Sequence, residues 1–93
     1  MLVNDVIILQ MPLFNRKYKK LHAQEKKEVD NAIRAIVENP KIGQEKRGDL
    51  SGLFVYKFKI NIQEMLLAYE WDEKSRTLVA LGVHENFYRD LKK

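Results

Sequence analysis

The chain has no cysteine, only two prolines and four glycines, and no long apolar run. The absence of cysteine excludes a disulfide framework, a thiolate metal site and a thiol nucleophile. No apolar stretch approaches the roughly 18 residues that a membrane span requires. The short apolar run at residues 6–9 has neither the basic lead-in nor the small-residue cleavage site of a signal peptide. We therefore expect a cytoplasmic protein that makes no membrane contact.

The overall composition is that of an ordinary globular protein. The 93 residues are 45% hydrophobic and 32% charged, which predicts one folded domain covering residues 1–93. Seventeen lysines and arginines stand against 13 acidic residues, for a net charge of +4. This excess favours a polyanionic partner, either nucleic acid or a strongly acidic protein, although a basic surface that serves solubility alone would give the same balance.

The stretch from residue 52 to 72 predicts two strands joined by a tight turn at Asn61 and Ile62. Every second side chain of the first strand is large and apolar: Phe54, Tyr56, Phe58 and Ile60. The intervening positions include Lys57 and Lys59, and because strand side chains alternate between faces, both lysines should leave the sheet on the same side. Two neighbouring cations there need water or an anionic partner. They could equally be a solvated strand face that discourages aggregation.

The remaining segments predict a small α+β protein. We expect a strand at residues 3–11, covered on both faces and interior to the sheet, and helices at 13–22 and 25–39 that form an antiparallel hairpin. A loop at 41–51, the hairpin strands, a polar turn at 72–76, a last strand at 77–84 and a short C-terminal helix or turn docked by Phe87 or Leu91 complete the chain. The helical hairpin should cover one face of a mostly antiparallel four-stranded sheet, with the first strand beside the last.

Four segments, in this order, resemble the RelE/ParE superfamily of toxins from bacterial type II toxin–antitoxin systems. They are VENPKIG, GDLSGLFVYKFKI, MLLAYEWD and ALGVHENFYRDL. The resemblance covers nearly the whole chain and implies the RelE-like fold. It does not decide the target, because one branch of the superfamily cleaves messenger RNA, mostly on the ribosome, and another inhibits DNA gyrase.

The RNA-cleaving branch implies specific site residues. Its paired strand lysines resemble Lys57 and Lys59, and its C-terminal tyrosine resembles Tyr88. Its arginine after the last strand falls at His84, and an arginine of the third strand falls near Leu66. Histidine can transfer a proton but is a weaker phosphate clamp than arginine, and leucine makes no phosphate contact. We therefore predict Lys57, Lys59, His84 and Tyr88 as catalytic residues.

Further cations could compensate for the two missing arginines. We predict that Lys46, Arg47 and Arg89 bind RNA together with Lys57 and Lys59. No metal and no cofactor are expected, because His22 and His84 lie on different elements and no carboxylate pattern of metal-site spacing accompanies them. His84 could instead cap the end of its strand, and Tyr88 could be a packing residue of the tail.

Three functions remain open at this stage. The first is a toxin that acts as a metal-independent endoribonuclease on mRNA, with the ribosome as a partner. The second is a gyrase inhibitor with the same fold and no catalysis, and the third is a non-toxic relative that only binds an antitoxin. All three imply a cognate antitoxin with an acidic, amphipathic segment that wraps the basic surface.

Overall fold

The computed structural model describes residues 5–83, 87–88 and 91. Its regular elements, in chain order, are β1 (Ile7–Gln10), α1 (Pro12–Lys19), α2 (Ala23–Glu38), β2 (Gln44–Glu45), β3 (Phe54–Ile60), β4 (Gln63–Trp71) and β5 (Ser75–Gly82). Pro12 begins α1, where its missing N–H would have no helical partner anyway. His22 precedes α2 and donates its backbone N–H to the Glu25 carboxylate at 2.8 Å. With this contact, α2 begins at Ala23, two residues before the predicted start at residue 25.

The described strands form one sheet in the order β1-β5-β4-β3-β2. β1 runs parallel to β5, and the other neighbours are antiparallel. The predicted α+β class is confirmed, and so is the position of the first strand beside the last. The predicted count of four strands was one too low, because β2 is a two-residue strand within the segment predicted as a loop. So short a pairing leaves no periodic signal in a sequence.

The main core lies between the two helices and one face of the sheet, which we call the helix-covered face. Its fully buried side chains come from both layers: Phe14, Val29 and Ile36 from the helices, and Leu67, Tyr69 and Leu78 from the strands. The aromatic side chains Phe54, Tyr56 and Phe58 of β3 are half-buried and pack against this core. The alternation predicted for β3 is therefore realised, with its aromatic row towards the helices.

A second, smaller core lies on the other face of the sheet, which we call the opposite face. It contains Val55, Leu66, Ala68, Ala80 and Phe87, all at most 3% exposed. Phe87 belongs to the C-terminal segment, so the predicted docking of that segment by Phe87 is confirmed. The described part of the chain includes no helix with the length and apolarity to cross a membrane.

The prediction that the first strand is interior to the sheet was wrong. β1 is an edge strand, and its side chains at Ile7, Ile8 and Leu9 are 58%, 42% and 50% exposed. A run of β-branched and long apolar residues ordinarily marks a strand covered on both faces. Among residues 5–11, the described part of the predicted strand, only Val6 is buried. The apolar character of β1 is thus not explained by packing within the described chain.

The predicted polar turn at 72–76 was too long by two residues, because Ser75 and Arg76 already belong to β5. The turn itself is held by Asp72, whose Oδ1 accepts hydrogen bonds from the backbone N–H groups of Lys74 and Ser75, each at 2.8 Å. The hydrogen bond from the Lys74 N–H contributes most, and with the hydrogen bonds from Ser75 it holds the pKa of Asp72 below its ordinary value. Arg76 is only 5% exposed and lies in the helix-covered face.

Candidate nucleic-acid interface

Lys57 and Lys59 both lie on the opposite face of β3, away from the helices. Both side chains are exposed, whereas Val55, two residues earlier in the same row, is buried. The two lysines are one strand repeat apart, roughly 7 Å along the strand. The geometry therefore presents two cations side by side on a sheet surface open to solvent.

The neighbouring strand gives these two lysines different surroundings. Across the β3–β4 ladder, Lys57 is opposite Leu66 and Lys59 is opposite Glu64. Paired residues share a face, so an exposed carboxylate stands beside Lys59. Glu64 was not among the predicted site residues, although the predicted turn at Asn61 and Ile62 already fixes the register 60–63 and therefore the pair 59–64.

Leu66 is a core residue of the opposite face. It is 0% exposed and packs in the same cluster as Phe87. The resemblance placed an arginine of the RNA-cleaving branch near this position. In this chain the position beside Lys57 is filled by a buried apolar side chain, so no cation from β4 reaches the surface there.

Tyr88 lies at the other end of this surface, beside the loop that precedes β3. Its ring makes an edge contact with the ring of Phe87, with 5.2 Å between centroids, and its side chain is half-buried against the second core. The Nζ atom of Lys46 lies 5.2 Å from the centroid of the Tyr88 ring, within cation–π range. The structure thus brings two of the predicted residues, Lys46 and Tyr88, into contact.

Arg47 joins the same group. A shallow hollow of ≈ 220 Å³ is lined by Arg47, Asp49, Leu50 and Tyr88. The hollow combines an exposed guanidinium with a half-buried aromatic ring. Such a pairing suits a stacked base next to a phosphate, since bases stack on aromatic planes and guanidinium groups bind phosphate oxygens.

Hydrogen bonds to Leu53, just before β3, and to Tyr69 of β4 hold the segment that carries Lys46 and Arg47. The backbone N–H of Lys46 donates to the Leu53 carbonyl at 2.8 Å. Further back, the hydroxyl of Tyr69 donates to the Pro40 carbonyl at 2.6 Å and accepts from the Gly43 N–H at 3.0 Å. A Cβ at Gly43 would lie only 2.7 Å from that hydroxyl, so the close approach requires glycine. The NPKIG segment therefore anchors the start of the basic loop.

Two predicted site residues, His84 and Arg89, lie outside the described residues. A search of the described part of the chain finds no group of three or more His, Cys, Asp or Glu side chains arranged to hold a metal ion.

A second basic surface lies on α1. Its residues Leu13, Arg16, Lys17 and Lys20, spaced as one helix face, border a groove of ≈ 230 Å³ against residues 80–83 and Phe87. These cations were not among the predicted site residues. Their groove borders the end of β5, and β4 separates β5 from β3 in the strand order.

Comparison with known proteins identifies the family. Residues 8–92 match the family model of the ParE-like toxins of type II bacterial toxin–antitoxin systems, so the chain belongs to this family of toxins. The resemblance to the RelE/ParE superfamily inferred from the sequence is thereby confirmed. Among curated proteins, none matches.

Solved structures confirm the fold. A chain of the Escherichia coli RelBE toxin–antitoxin complex matches with a TM-score of 0.67 and 18% identity, covering 86% of this chain and 98% of that one. A chain of the RelBE2 toxin–antitoxin complex from Mycobacterium tuberculosis gives 0.71 and 17%, covering 86% and 99%. The YoeB/ParE toxin from Agrobacterium tumefaciens gives 0.68 and 14%, covering 85% and 99%.

Proposed function

We propose that this toxin is a metal-independent endoribonuclease that cleaves mRNA, with the ribosome as the place of action. The observation that carries the proposal is the exposed pair Lys57 and Lys59 on the sheet face where Tyr88 also packs. A polyanion that crosses this face would meet the strand lysines at one end and Lys46 and Arg47 at the other. The net charge of +4 supports the same ligand class.

The reaction requires three groups. A base takes the proton of the ribose 2′-hydroxyl, whose oxygen then attacks the adjacent phosphorus. Lys57 and Lys59 stabilise the negative charge that grows on the phosphorane oxygens. An acid, assigned to His84, protonates the departing 5′-oxygen, so the products are a 2′,3′-cyclic phosphate and a 5′-hydroxyl. Tyr88 stacks on a neighbouring base and holds the strand in register.

The second candidate is inhibition of DNA gyrase without catalysis. Leu66 favours it, because a buried leucine occupies the position beside Lys57 where the RNA-cleaving branch is expected to carry an arginine. In that case the lysine pair would contribute to a protein interface, and transcripts would stay intact.

The proposed protein partner is a cognate antitoxin. Similar folds occur in toxin–antitoxin complexes, including the RelBE complex of E. coli and the YoeB–YefM complex of Staphylococcus aureus. The basic surface of this chain suits a partner that carries an acidic segment.

Expression in cells, followed by mapping of transcript ends, tests the ribonuclease against the gyrase inhibitor. The ribonuclease predicts arrest of translation and new 5′-hydroxyl ends in mRNA within minutes of induction. A DNA-damage response with intact transcripts would refute it and support the gyrase inhibitor. Repeating the cleavage with purified toxin, with and without ribosomes, tests whether the ribosome is required.

A further inference from the structure

The hollow beside Tyr88 contains one acidic side chain among basic neighbours. It is lined by Arg47, Asp49, Leu50 and Tyr88 and has a volume of ≈ 220 Å³. This volume lies below the roughly 300–1,000 Å³ of sites for drug-sized ligands, so the hollow suits a single planar group. Because a carboxylate repels phosphate, Asp49 cannot bind the RNA backbone as the neighbouring cations do.

The backbone around Asp49 forms a tight turn. Residues Gly48–Leu50 make one turn of 3₁₀ helix, after which the Ser51 N–H donates to the Gly48 carbonyl at 3.0 Å. Gly48 and Gly52 have φ angles of 69° and 93°, in the region that favours glycine. The turn leaves the side chain of Asp49 exposed to solvent beside the hollow.

Within the described part of the chain, no side chain neutralises either charge of this hollow. The Asp49 carboxylate and the Arg47 guanidinium both lack a hydrogen-bond or ion-pair partner there. Both side chains are exposed, and they stand two residues apart on the same segment. A group that only accepts hydrogen bonds and a group that only donates them therefore border the same hollow.

The ring of Tyr88 supplies a flat wall on which a base can stack. It lines the hollow, and the Nζ atom of Lys46 lies 5.2 Å from its centroid. A ring has two faces, so a cation on one face leaves the other for a base. Stacking tolerates any sequence, because every base has a π-face. The choice of base therefore falls to the polar groups beside the ring, Asp49 and Arg47.

Guanine is the base whose edges match these two groups. Its Watson–Crick edge carries two adjacent donors, N1–H and the N2 amino group, which one carboxylate can accept together. Its O6 and N7 atoms are acceptors that an arginine binds with two N–H groups. The other three bases place an acceptor beside every donor of the Watson–Crick edge, so each would bring a lone pair against the carboxylate.

We propose that this hollow is a guanine-reading subsite of the ribonuclease. The base stacks on Tyr88, the Asp49 carboxylate accepts from N1–H and the N2 amino group, and the Arg47 guanidinium donates to O6 and N7. The inference rests on the proposed ribonuclease function and adds a base preference to it. Lys57 and Lys59 cannot supply that preference, because contacts to phosphate carry no sequence information.

A guanine within an RNA strand fits the hollow better than a free guanine nucleotide does. The hollow is shallow, whereas sites for free small molecules bury most of the ligand surface. A strand with one base in the hollow can continue along the same face of the sheet to Lys57 and Lys59, where its phosphates add to the affinity. A free nucleotide makes no such second contact.

Transcript ends mapped after expression of the full-length toxin separate this inference from the function on which it rests. We expect guanine to be enriched at one fixed position relative to the cut. Cuts without such enrichment at any position would overturn the guanine subsite and leave the ribonuclease standing. Intact transcripts would refute both.

Asp49→Asn tests the reading group itself. Asparagine has the same size but presents one acceptor and one donor, which match an adjacent donor and acceptor of adenine. We expect the enrichment to move from guanine to adenine at an unchanged melting temperature, because Asp49 is exposed. The matched control is Glu45→Gln, which removes an exposed carboxylate of the same segment outside the hollow and should keep the guanine preference. A guanine preference that survives in Asp49→Asn would exclude the carboxylate as the reading group.

Two guanine analogues test the individual contacts. A short 2′-O-methyl RNA, which has no 2′-hydroxyl to attack the phosphorus, carries guanine, inosine or 7-deazaguanine at one position among uridines. Inosine lacks the N2 amino group and should bind the wild type about fivefold or more weakly than guanine, but Asp49→Ala equally well. 7-Deazaguanine lacks N7 and should show the same pattern with Arg47→Ala. Differences in Kd that persist in the variants would overturn the assigned contacts.

Competition with guanosine monophosphate tests the alternative ligand. We expect no displacement of the labelled RNA by the free nucleotide at concentrations near the Kd of the RNA, since the phosphate contacts along the sheet are missing. Displacement at or below that concentration would assign the hollow to a free guanine nucleotide and overturn the assignment to RNA.

Discussion

The guanidinium group of Arg76, in β5, donates from Nε to the backbone carbonyl of Ile36, in α2, at 3.2 Å. Nη2 of the same group donates to the next carbonyl, that of Val37, at 3.0 Å. These are carbonyls of the last turn of α2, a turn that contains no basic residue of its own. A buried cation from the sheet thus interacts favourably with the negative end of the helix dipole and attaches the helix to β5.

Replacing Arg76 by methionine should destabilise the fold strongly. Nη1 also donates to the carbonyls of Asp72 and Ser75, so the change removes one hydrogen bond from each of four carbonyls. The Ser75 carbonyl still accepts from the Asp72 N–H. We expect a loss of about 2–4 kcal/mol in the free energy of unfolding, measured by urea denaturation. Lys74→Met, at an exposed neighbouring position, is the control and should change it by less than about 0.5 kcal/mol. A small loss for both variants would show that water replaces the guanidinium group.

Tyr69→Phe tests the anchor of the basic loop. The variant keeps the buried ring but removes the hydroxyl that donates to Pro40 and accepts from Gly43. We expect a loss of about 1–3 kcal/mol in the free energy of unfolding. Because the same bonds hold the loop before Lys46, RNA binding should weaken as well. Tyr56→Phe is the control for the loss of a phenol oxygen, because the ring of Tyr56 is half-buried.

The stability of the toxin should fall at alkaline pH, in part through Tyr69. Burial raises the pKa of Tyr69, and the Gly43 N–H and the charge of Arg76 act in the opposite direction. In the unfolded chain this phenol ionises near pH 10, whereas in the folded chain it keeps its proton to higher pH. Its contribution is therefore fully present below about pH 10 and is lost as the pH rises through the folded-state pKa. Melting temperatures between pH 8 and 11 should fall less steeply for Tyr69→Phe than for the wild type.

Lys57→Ala with Lys59→Ala should abolish growth arrest and RNA cleavage while the protein still folds. Both side chains are exposed, so little packing is lost, but the charge that stabilises the phosphorane is removed. Cleavage of a synthetic RNA is the measurement, and Lys27→Ala with Arg34→Ala on α2 is the control. A double variant that remains as active as the wild type would exclude the lysine pair from the site.

Glu64→Gln should strengthen RNA binding. The carboxylate of Glu64 faces Lys59 across the ladder and offsets part of its charge. A directly opposed pair of this kind contributes about 0.2–1 kcal/mol, which corresponds to an increase in affinity of up to about fivefold at low salt. Fluorescence anisotropy with a labelled RNA measures this. The increase should disappear in the Lys59→Ala background, since the affected charge is then absent.

Local patterns in the sequence were sufficient for most of the fold. The alternation in β3 predicted the faces of Lys57 and Lys59, because the two-residue period of a strand is set by the backbone alone. The two-residue β2 was not predicted, because so short a strand shows no alternation of apolar and polar residues. Arg76 was assigned to a turn because its partners, the carbonyls at the end of α2, lie some 40 residues away in the chain.

The site was predictable only where side chains share a strand or a motif. The shared face of Lys57 and Lys59 follows from the alternation along one strand. The contact between Lys46 and Tyr88 depends on the packing of the C-terminal segment on the sheet, which no local pattern encodes. The error about β1 had a different origin. Its composition is that of a covered strand, but the sheet order leaves it at the edge, where no described part of the chain covers its exposed side chains.

The unequal edges of the sheet limit how the molecule can polymerise. An open-ended fibre formed by edge-to-edge strand pairing needs one sheet edge of each copy to pair with the other sheet edge of the next copy. Here the lysines on β3 repel an incoming strand, so a copy that pairs through β1 leaves no second attachment point for a third. Growth stops after a single addition, and a toxin produced in excess would remain as small discrete species instead of filaments.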